Sequence, residues 1–303
     1  MLELNRLTSI PERFPLSCQW EITCRCNLHC VMCYTDCFNR PDMIRDELST
    51  NTILRIMDEL ADAGCLELCL TGGEPFVRPD FFDIYEHAKT NGFLVTIFTN
   101  GTLITEEVAD RLAALPPHRI EISFHGLTEQ TFEGITQGKG SYQRCLRAIK
   151  LLIERNLPLV LKSTAMTINR EEILAIKRYV SGLGSVEYRL GEELRATLDG
   201  SNAPQRLAIP ESEWLEIKQQ DPELWAETCR KQSQTPAPCN SGMRRFHIDA
   251  YGRLQLCSGN RRMSYDLRTG SFREGFYQAL PTFACDFKAD VSTLLIQVSA
   301  VHV

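Results

Sequence analysis

The chain has 303 residues, room for one large domain and a smaller one, and its 43% hydrophobic and 24% charged residues are ordinary for a globular protein. A formal charge of −6 leaves no basic footprint, and the pairs Arg244-Arg245 and Arg261-Arg262 are too short to form a stripe, which excludes a dedicated nucleic-acid binder. No apolar run approaches a membrane span and no basic-then-apolar leader opens the sequence, so the 13 cysteines are expected in a reducing cytoplasm, where cysteine clusters signal metal or catalysis.

From residue 13 to 190 short apolar runs alternate with helical patterns, the signature of βα units on a parallel sheet. A strand over 18–23 leads into a loop bearing Cys26, Cys30 and Cys33, a Cys-x3-Cys-x2-Cys array. Ser49-Thr50 caps a helix carrying Ile53, Ile56, Met57 and Leu60 at helical spacing, stopped by Gly64. A second strand, 65–71, runs into Gly72-Gly73-Glu74-Pro75, and a helix over 79–91 ends at Gly92. Strand 93–99 ends in Asn100-Gly101, helix 106–115 stops at Pro116-Pro117, and strand 119–124 ends in His125-Gly126. A helical region over 129–156 is broken by Gly138-Lys139-Gly140, and strand 159–166, helix 170–183 and strand 186–190 close the series. Six βα repeats imply an open, partial (βα)6 TIM-like barrel, an α/β fold whose active site lies at the C-terminal strand ends.

After residue 191 the period is lost. Residues 191–238 read as a connector with Trp214 and Trp225 on acidic helical stretches, and 239–303 as a small C-terminal domain. That domain opens with Cys239, a strand over 246–251, Gly252 in a turn and Cys257, with Cys285 further on. The apolar stretch 291–303 is short and reads as a strand or a chain tail.

Three thiolates from one loop can hold three irons of a [4Fe–4S] cluster and leave the fourth iron for a small molecule. A zinc knuckle would need a fourth ligand, which Cys24 or Cys37 could supply, and a disulfide framework would need an oxidising compartment. With Asn27-Leu28 after the first cysteine and Tyr34 after the last, the array resembles the radical S-adenosylmethionine (SAM) superfamily. That resemblance implies a cluster on Cys26, Cys30 and Cys33, SAM on the open iron, and reductive cleavage to a 5′-deoxyadenosyl radical that abstracts a substrate hydrogen.

The same resemblance assigns Gly72, Gly73, Glu74 and Pro75 to the SAM amino group. It assigns Asn100 and Ser123 to contacts at the strand ends, Arg144 to the SAM carboxylate, and Thr164 and Met166 to the flank of the adenine. The family's Ile-Ser-x-Asp-Gly pattern reads Ile122-Ser123-Phe124-His125-Gly126 here, so His125 stands where an acid–base Asp is frequent; a neutral-pH titrant suits that work, and so does a mere turn cap. Cys239 and Cys257, set as Cys-x12-Gly-x4-Cys, are similar to the opening of the SPASM or Twitch extension, which implies at most one auxiliary cluster with Cys285 as a further ligand. The chain lacks the denser cysteine array that ends a full SPASM domain.

The extension implies a peptide or protein side chain as substrate, with a separate peptide-recognition protein and an electron donor such as flavodoxin or ferredoxin as partners. A tetrapyrrole side chain is the alternative substrate, and a non-catalytic cysteine-rich metal scaffold the alternative class.

Overall fold

Trp20, Ile22, Leu68, Leu70, Ile97, Ile120, Ile122 and Leu161 are buried almost completely, and together they form one face of a sheet against which the helices pack. The computed structural model describes residues 13–233 and 239–285, so the reading of residues 286–303 lies outside it.

The chain runs β1 (Ser17–Thr23), α1 (Pro41–Ile44), α2 (Thr50–Asp62), β2 (Glu67–Gly72), α3 (Phe81–Thr90), β3 (Leu94–Thr99), α4 (Glu106–Ala114) and β4 (Arg119–Ser123). It continues through α5 (Glu129–Thr136), α6 (Ser141–Glu154), β5 (Leu159–Thr164), α7 (Ile173–Ser181) and β6 (Glu187–Gly191). Strands β1 to β6 are parallel and lie in chain order, each joined to the next by at least one helix. This is the partial barrel that the alternation predicts. Boundaries shift by a few residues for local reasons: Cys65 donates its N–H to Leu60 O at 3.0 Å and so still closes α2.

Side-chain caps mark where α2, α4 and α5 begin. Ser49, Thr105 and Thr128 each accept from a backbone N–H three residues on, at 3.3, 3.3 and 3.2 Å, satisfying donors that the first turn leaves free. Each of these three helices then turns an apolar stripe to the sheet, as α2 does with Ile53, Ile56, Met57 and Leu60. Each such side chain contributes about 1.5–3 kcal/mol by leaving water.

Beyond β6 the connector holds α8 (Glu211–Gln219) and α9 (Pro222–Ser233). The C-terminal region then returns to the barrel. Strand β7 (Arg245–Ile248) pairs in parallel with the free edge of β1, Cys18 opposite Phe246 and Trp20 opposite Ile248. Strands β8 (Arg253–Gln255) and β9 (Tyr265–Asp266) extend the same sheet in antiparallel fashion, and α10 (Phe272–Glu274) brings Phe272 and Phe276 against Phe246. The strand expected over 246–251 stops at Ile248 because Asp249 turns the chain: its Oδ1 accepts from the N–H of Tyr251 and of Arg253, both at 3.0 Å, and Gly252 takes φ +80°.

Candidate functional site

The cysteine loop is tied at both ends before it reaches the thiols. Where β1 ends, Glu47 (5% exposed) accepts from Thr23 Oγ1 and Cys24 N–H, both at 2.7 Å, and pairs with Arg25 at 3.1 Å. Asn39 clamps Cys26 from both sides, its Oδ1 accepting the N–H at 3.2 Å and its Nδ2 donating to the carbonyl at 3.0 Å. His29 and Val31 donate to Thr136 and Ile135 at 3.2 and 2.9 Å, which staples the loop onto the end of α5.

Cys26, Cys30 and Cys33 then line one cavity of about 560 Å³, whose other walls are the C-terminal ends of β2 to β6. The thiols face donors: Leu28 N–H lies 3.4 Å and Asn100 Nδ2 3.8 Å from Cys26 Sγ, and Thr35 Oγ1 lies 3.4 Å from Cys33 Sγ. Burial pushes Cys26 up to about 12 and Cys30 and Cys33 upward as well, so ionisation of these thiols awaits a metal. Among the described residues no three His, Cys, Asp or Glu side chains converge on a single ion. Three irons each taking one thiolate need no such convergence, and N–H and O–H donors around the sulfurs suit cluster ligands, so this donor set fits a [4Fe–4S] group.

The Gly72-Gly73 pair brings the end of β2 against the cysteine loop. Gly73 N–H donates to Thr23 O at 3.0 Å and Glu74 N–H to Arg25 O at 2.8 Å. Gly72 has φ +143°, and a Cβ there would stand 2.1 Å from Thr23 O, so only glycine fits. Both glycines line the cavity, whereas Glu74 and Pro75 lie buried behind it. Glu74 instead binds strand to strand, accepting from Thr99 Oγ1 at 2.8 Å, Asn100 N–H at 2.7 Å and Phe76 N–H at 3.2 Å. Burial raises it to about 7. Asn100 reaches the cavity and donates to Asn27 Oδ1 at 3.0 Å, so the end of β3 and the cysteine loop share one amide network.

Ser123, His125 and Thr164 line the cavity as the sequence suggests. His125 Nδ1 accepts the Thr164 N–H at 3.1 Å, which leaves its proton on Nε2. Burial, aided by the Lys162 ammonium, pushes it down to about 4, so it is neutral near pH 7. Two further assigned residues, like Glu74 and Pro75, stand off the cavity lining. Arg144 folds over the start of α6, its Nη2 donating to Lys139 O at 3.2 Å, and does not line the cavity. Met166 is fully buried beyond the end of β5.

Of the C-terminal cysteines, Cys239 is exposed with its Sγ 3.2 Å from Ser241 Oγ, and Cys257 bridges to Asn260. Cys285 packs against the main core. Asn260 Nδ2 donates to Ala284 O at 3.1 Å, bringing the segments of Cys257 and Cys285 side by side.

Several site residues carry no local sequence signal. Glu21, at the end of β1, receives both arms of Arg261 at 2.8 and 2.5 Å. Burial alone would raise Glu21, but His247 and Arg261 hold it well below the usual carboxylate range. The Arg261 guanidinium also sits 5.6 Å from the ring of Tyr34, next to Cys33. The β7–β9 extension thereby buttresses the cysteine loop. Buried Asn169 locks the β4 and β5 ends, donating to His125 O and Thr164 O at 2.9 Å. Lys162, Arg189 and Arg195 bring positive charge to the cavity wall. Lys162 is visible in the sequence as a charge interrupting an apolar strand, but which face it takes is not.

Residues 20–180 match the sequence profile of the radical SAM superfamily. Over 171 residues the chain is 33% identical to the AdoMet-dependent heme synthase of Methanosarcina barkeri, covering 56% of this chain and 48% of that protein. Over 183 residues it is 34% identical to the mycofactocin maturase MftC of Mycobacterium tuberculosis, covering 60% and 44%. The chain thus spans about half the length of the curated relatives it matches. Among solved structures it is similar in fold to Streptococcus suis SuiB bound to S-adenosylmethionine, with TM-score 0.66, 17% identity, and 88% and 67% of the two chains covered. It is likewise similar to anSMEcpe with bound AdoMet and a peptide, with TM-score 0.68, 14% identity, and 88% and 81% covered.

Proposed function

The chain belongs to the radical SAM superfamily, and on that premise we propose that it removes a hydrogen atom from a peptide or protein side chain. The observation that carries this is the meeting of Cys26, Cys30 and Cys33 with the ends of β2 to β6 in one cavity. When bound, a [4Fe–4S] cluster and SAM would supply the electron and the deoxyadenosyl group for that abstraction.

The chain's own residues bind, orient and enclose. Cys26, Cys30 and Cys33 would hold the cluster, and Gly72 and Gly73 offer backbone at close range. Asn100, Ser123 and Thr164 set small polar groups on the wall, and His125, neutral, presents an Nε2–H for hydrogen bonding. The apolar Leu28, Phe98 and Phe132 complete the lining and limit water.

A peptide substrate is favoured by the relative named PqqA peptide cyclase, beside relatives named as maturases such as mycofactocin maturase MftC. The heme synthase and an Fe-coproporphyrin III synthase at 33% identity favour a tetrapyrrole as the second reading. This proposal includes a flavodoxin or ferredoxin as electron donor, a separate peptide-recognition protein, a cytoplasmic setting, and one auxiliary cluster on Cys239, Cys257 and Cys285. No helix among the described residues is long and apolar enough to cross a membrane.

The test is anaerobic reconstitution with iron and sulfide, then dithionite and SAM, with 5′-deoxyadenosine quantified. The parent should form it and the Cys26→Ala, Cys30→Ala, Cys33→Ala triple variant should not, while iron remaining in that variant would mark the auxiliary site. No product from a fully loaded parent would overturn the reading.

A further inference from the structure

Four formally charged side chains line the cavity: Lys162, Arg189, Arg195 and Glu193. Glu193 is satisfied by Arg195 through two contacts at 2.8 and 2.9 Å. Lys162 and Arg189 share a single carboxylate, Glu121, at 3.1 and 2.8 Å. Glu121 is only 3% exposed, while the side chains of Lys162 and Arg189 remain 37% and 44% exposed. Glu187 approaches Arg189 only at 3.8 Å, is itself 57% exposed, and is engaged by Arg119 at 3.5 Å. His125 contributes no charge near neutral pH. One buried anion thus serves two cations, and the surplus positive charge faces the cavity.

A pair built only to hold β4 to its neighbours would need one cation, buried with its partner. Here two are kept, and the Lys162 ammonium is steadied 3.9 Å over the ring of Phe98. Strands β5 and β6 also end the barrel sheet opposite β1, whose loop carries the thiols. Resting on the reading given above, we propose that Lys162 and Arg189 form a carboxylate-binding subsite that orients an acidic group of the substrate toward the SAM side of the cavity. An ammonium and a guanidinium fork at one wall supply charge-assisted donors for the two oxygens of such a group. The acidic group is a peptide carboxylate or a tetrapyrrole propionate.

The test is calorimetric titration of the reconstituted protein saturated with SAM, without reductant, so that no turnover is required. One arm compares acetyl-Gly-Glu-Gly-amide with acetyl-Gly-Gln-Gly-amide; the other compares coproporphyrin III with its tetramethyl ester. The parent should bind the acid at least about tenfold more tightly than its neutral partner in one arm, which identifies the source. Lys162→Met and Arg189→Met should each abolish that preference. Glu121→Gln should increase it, a sign that a merely structural pair would not produce and that guards against misfolded variants.

Equal binding of acid and neutral probe by the parent in both arms would overturn the proposal. So would a preference that persists in both Met variants, or a loss of SAM affinity in both with the preference unchanged, which would assign the pair to the SAM carboxylate. Failure of the radical reading would appear separately, as a loaded parent that makes no 5′-deoxyadenosine.

Discussion

Replacing Gly73 by alanine should loosen the cysteine loop while leaving every thiol in place. The backbone at Gly73 lies outside the positive-φ region, so the obstacle is space: a Cβ would stand 2.3 Å from Arg25 O, 2.6 Å from Arg25 C and 2.8 Å from Cys24 O. These are backbone atoms and cannot rotate away. The Arg25 carbonyl would have to retreat by about 1 Å to reach ordinary contact, and Cys26 follows it in the chain. The retreat also stretches the bonds from Gly73 N–H to Thr23 O (3.0 Å) and from Glu74 N–H to Arg25 O (2.8 Å). Overpacking costs about 1–3 kcal/mol and each of the two weakened hydrogen bonds about 1 kcal/mol, together about 3–5 kcal/mol. For a chain of this size that lowers Tm on the order of 5–10 °C. Two assays check it: thermal unfolding of the metal-free protein, and iron bound per chain after reconstitution. Gly134→Ala is the control, since its Cβ meets nothing within 4 Å inside α5, and it should be neutral or slightly stabilising. A Gly73→Ala protein that melts with the parent and binds its full iron would refute the account of the turn as a spacer for the loop.

His125 is lowered to about 4 by burial, below the ordinary value of 6.5, so the unfolded chain takes up the proton first as pH falls. Its contribution to stability is present above pH 6.5 and lost between 6.5 and 4, on the order of 3 kcal/mol in all. Urea unfolding at pH 7 and pH 4.5 should show a smaller loss for His125→Asn than for the parent; identical losses would place the proton elsewhere. The Glu21–Arg261 pair is nearly dry, at 10% and 11% exposure. Glu21→Gln and Arg261→Met should each cost about 3–5 kcal/mol, and the double variant clearly less than their sum, because each single change strands a buried charge. Strict additivity in a urea double-mutant cycle would mean that the pair is not coupled.

Much of the barrel was legible because its signals are local. Strands buried on the helix side read as apolar runs, the cap at Ser49 precedes apolar periodicity, and Gly64 and Gly92 stop helices where the chain must turn. The three loop thiols were legible for the same reason, as ligands spaced along a few residues. The docking of β7 was not, since nothing in Arg-Phe-His-Ile says that its partner is β1, some 230 residues earlier, or that the pairing is parallel. Register of that kind is decided by which edge remains free once six strands have paired.

The assigned residues that lie off the cavity follow the same division. Glu74 is assigned to the SAM amino group by resemblance, as part of Gly-Gly-Glu-Pro after a strand; its carboxylate turns inward to three donors on neighbouring backbone and Thr99, a strand-linking role that depends on β3 lying alongside β2. Arg144 stands one turn into a helix whose N-terminal carbonyls lie within reach, and the Lys139 carbonyl captures it locally. Conversely, Lys162 and Arg189 become a single feature only when β5 and β6 pair with Lys162 opposite Arg189 and both side chains meet Glu121 from β4. Charges on three separate strands have no meaning in the linear sequence beyond an interruption of apolar runs. Once the three strands pair, two cations share one anion, and the resulting excess charge acquires a direction. The shared anion therefore depends on strand register and not on any motif, which is why the cysteine loop can be read from the sequence while this wall of the cavity cannot.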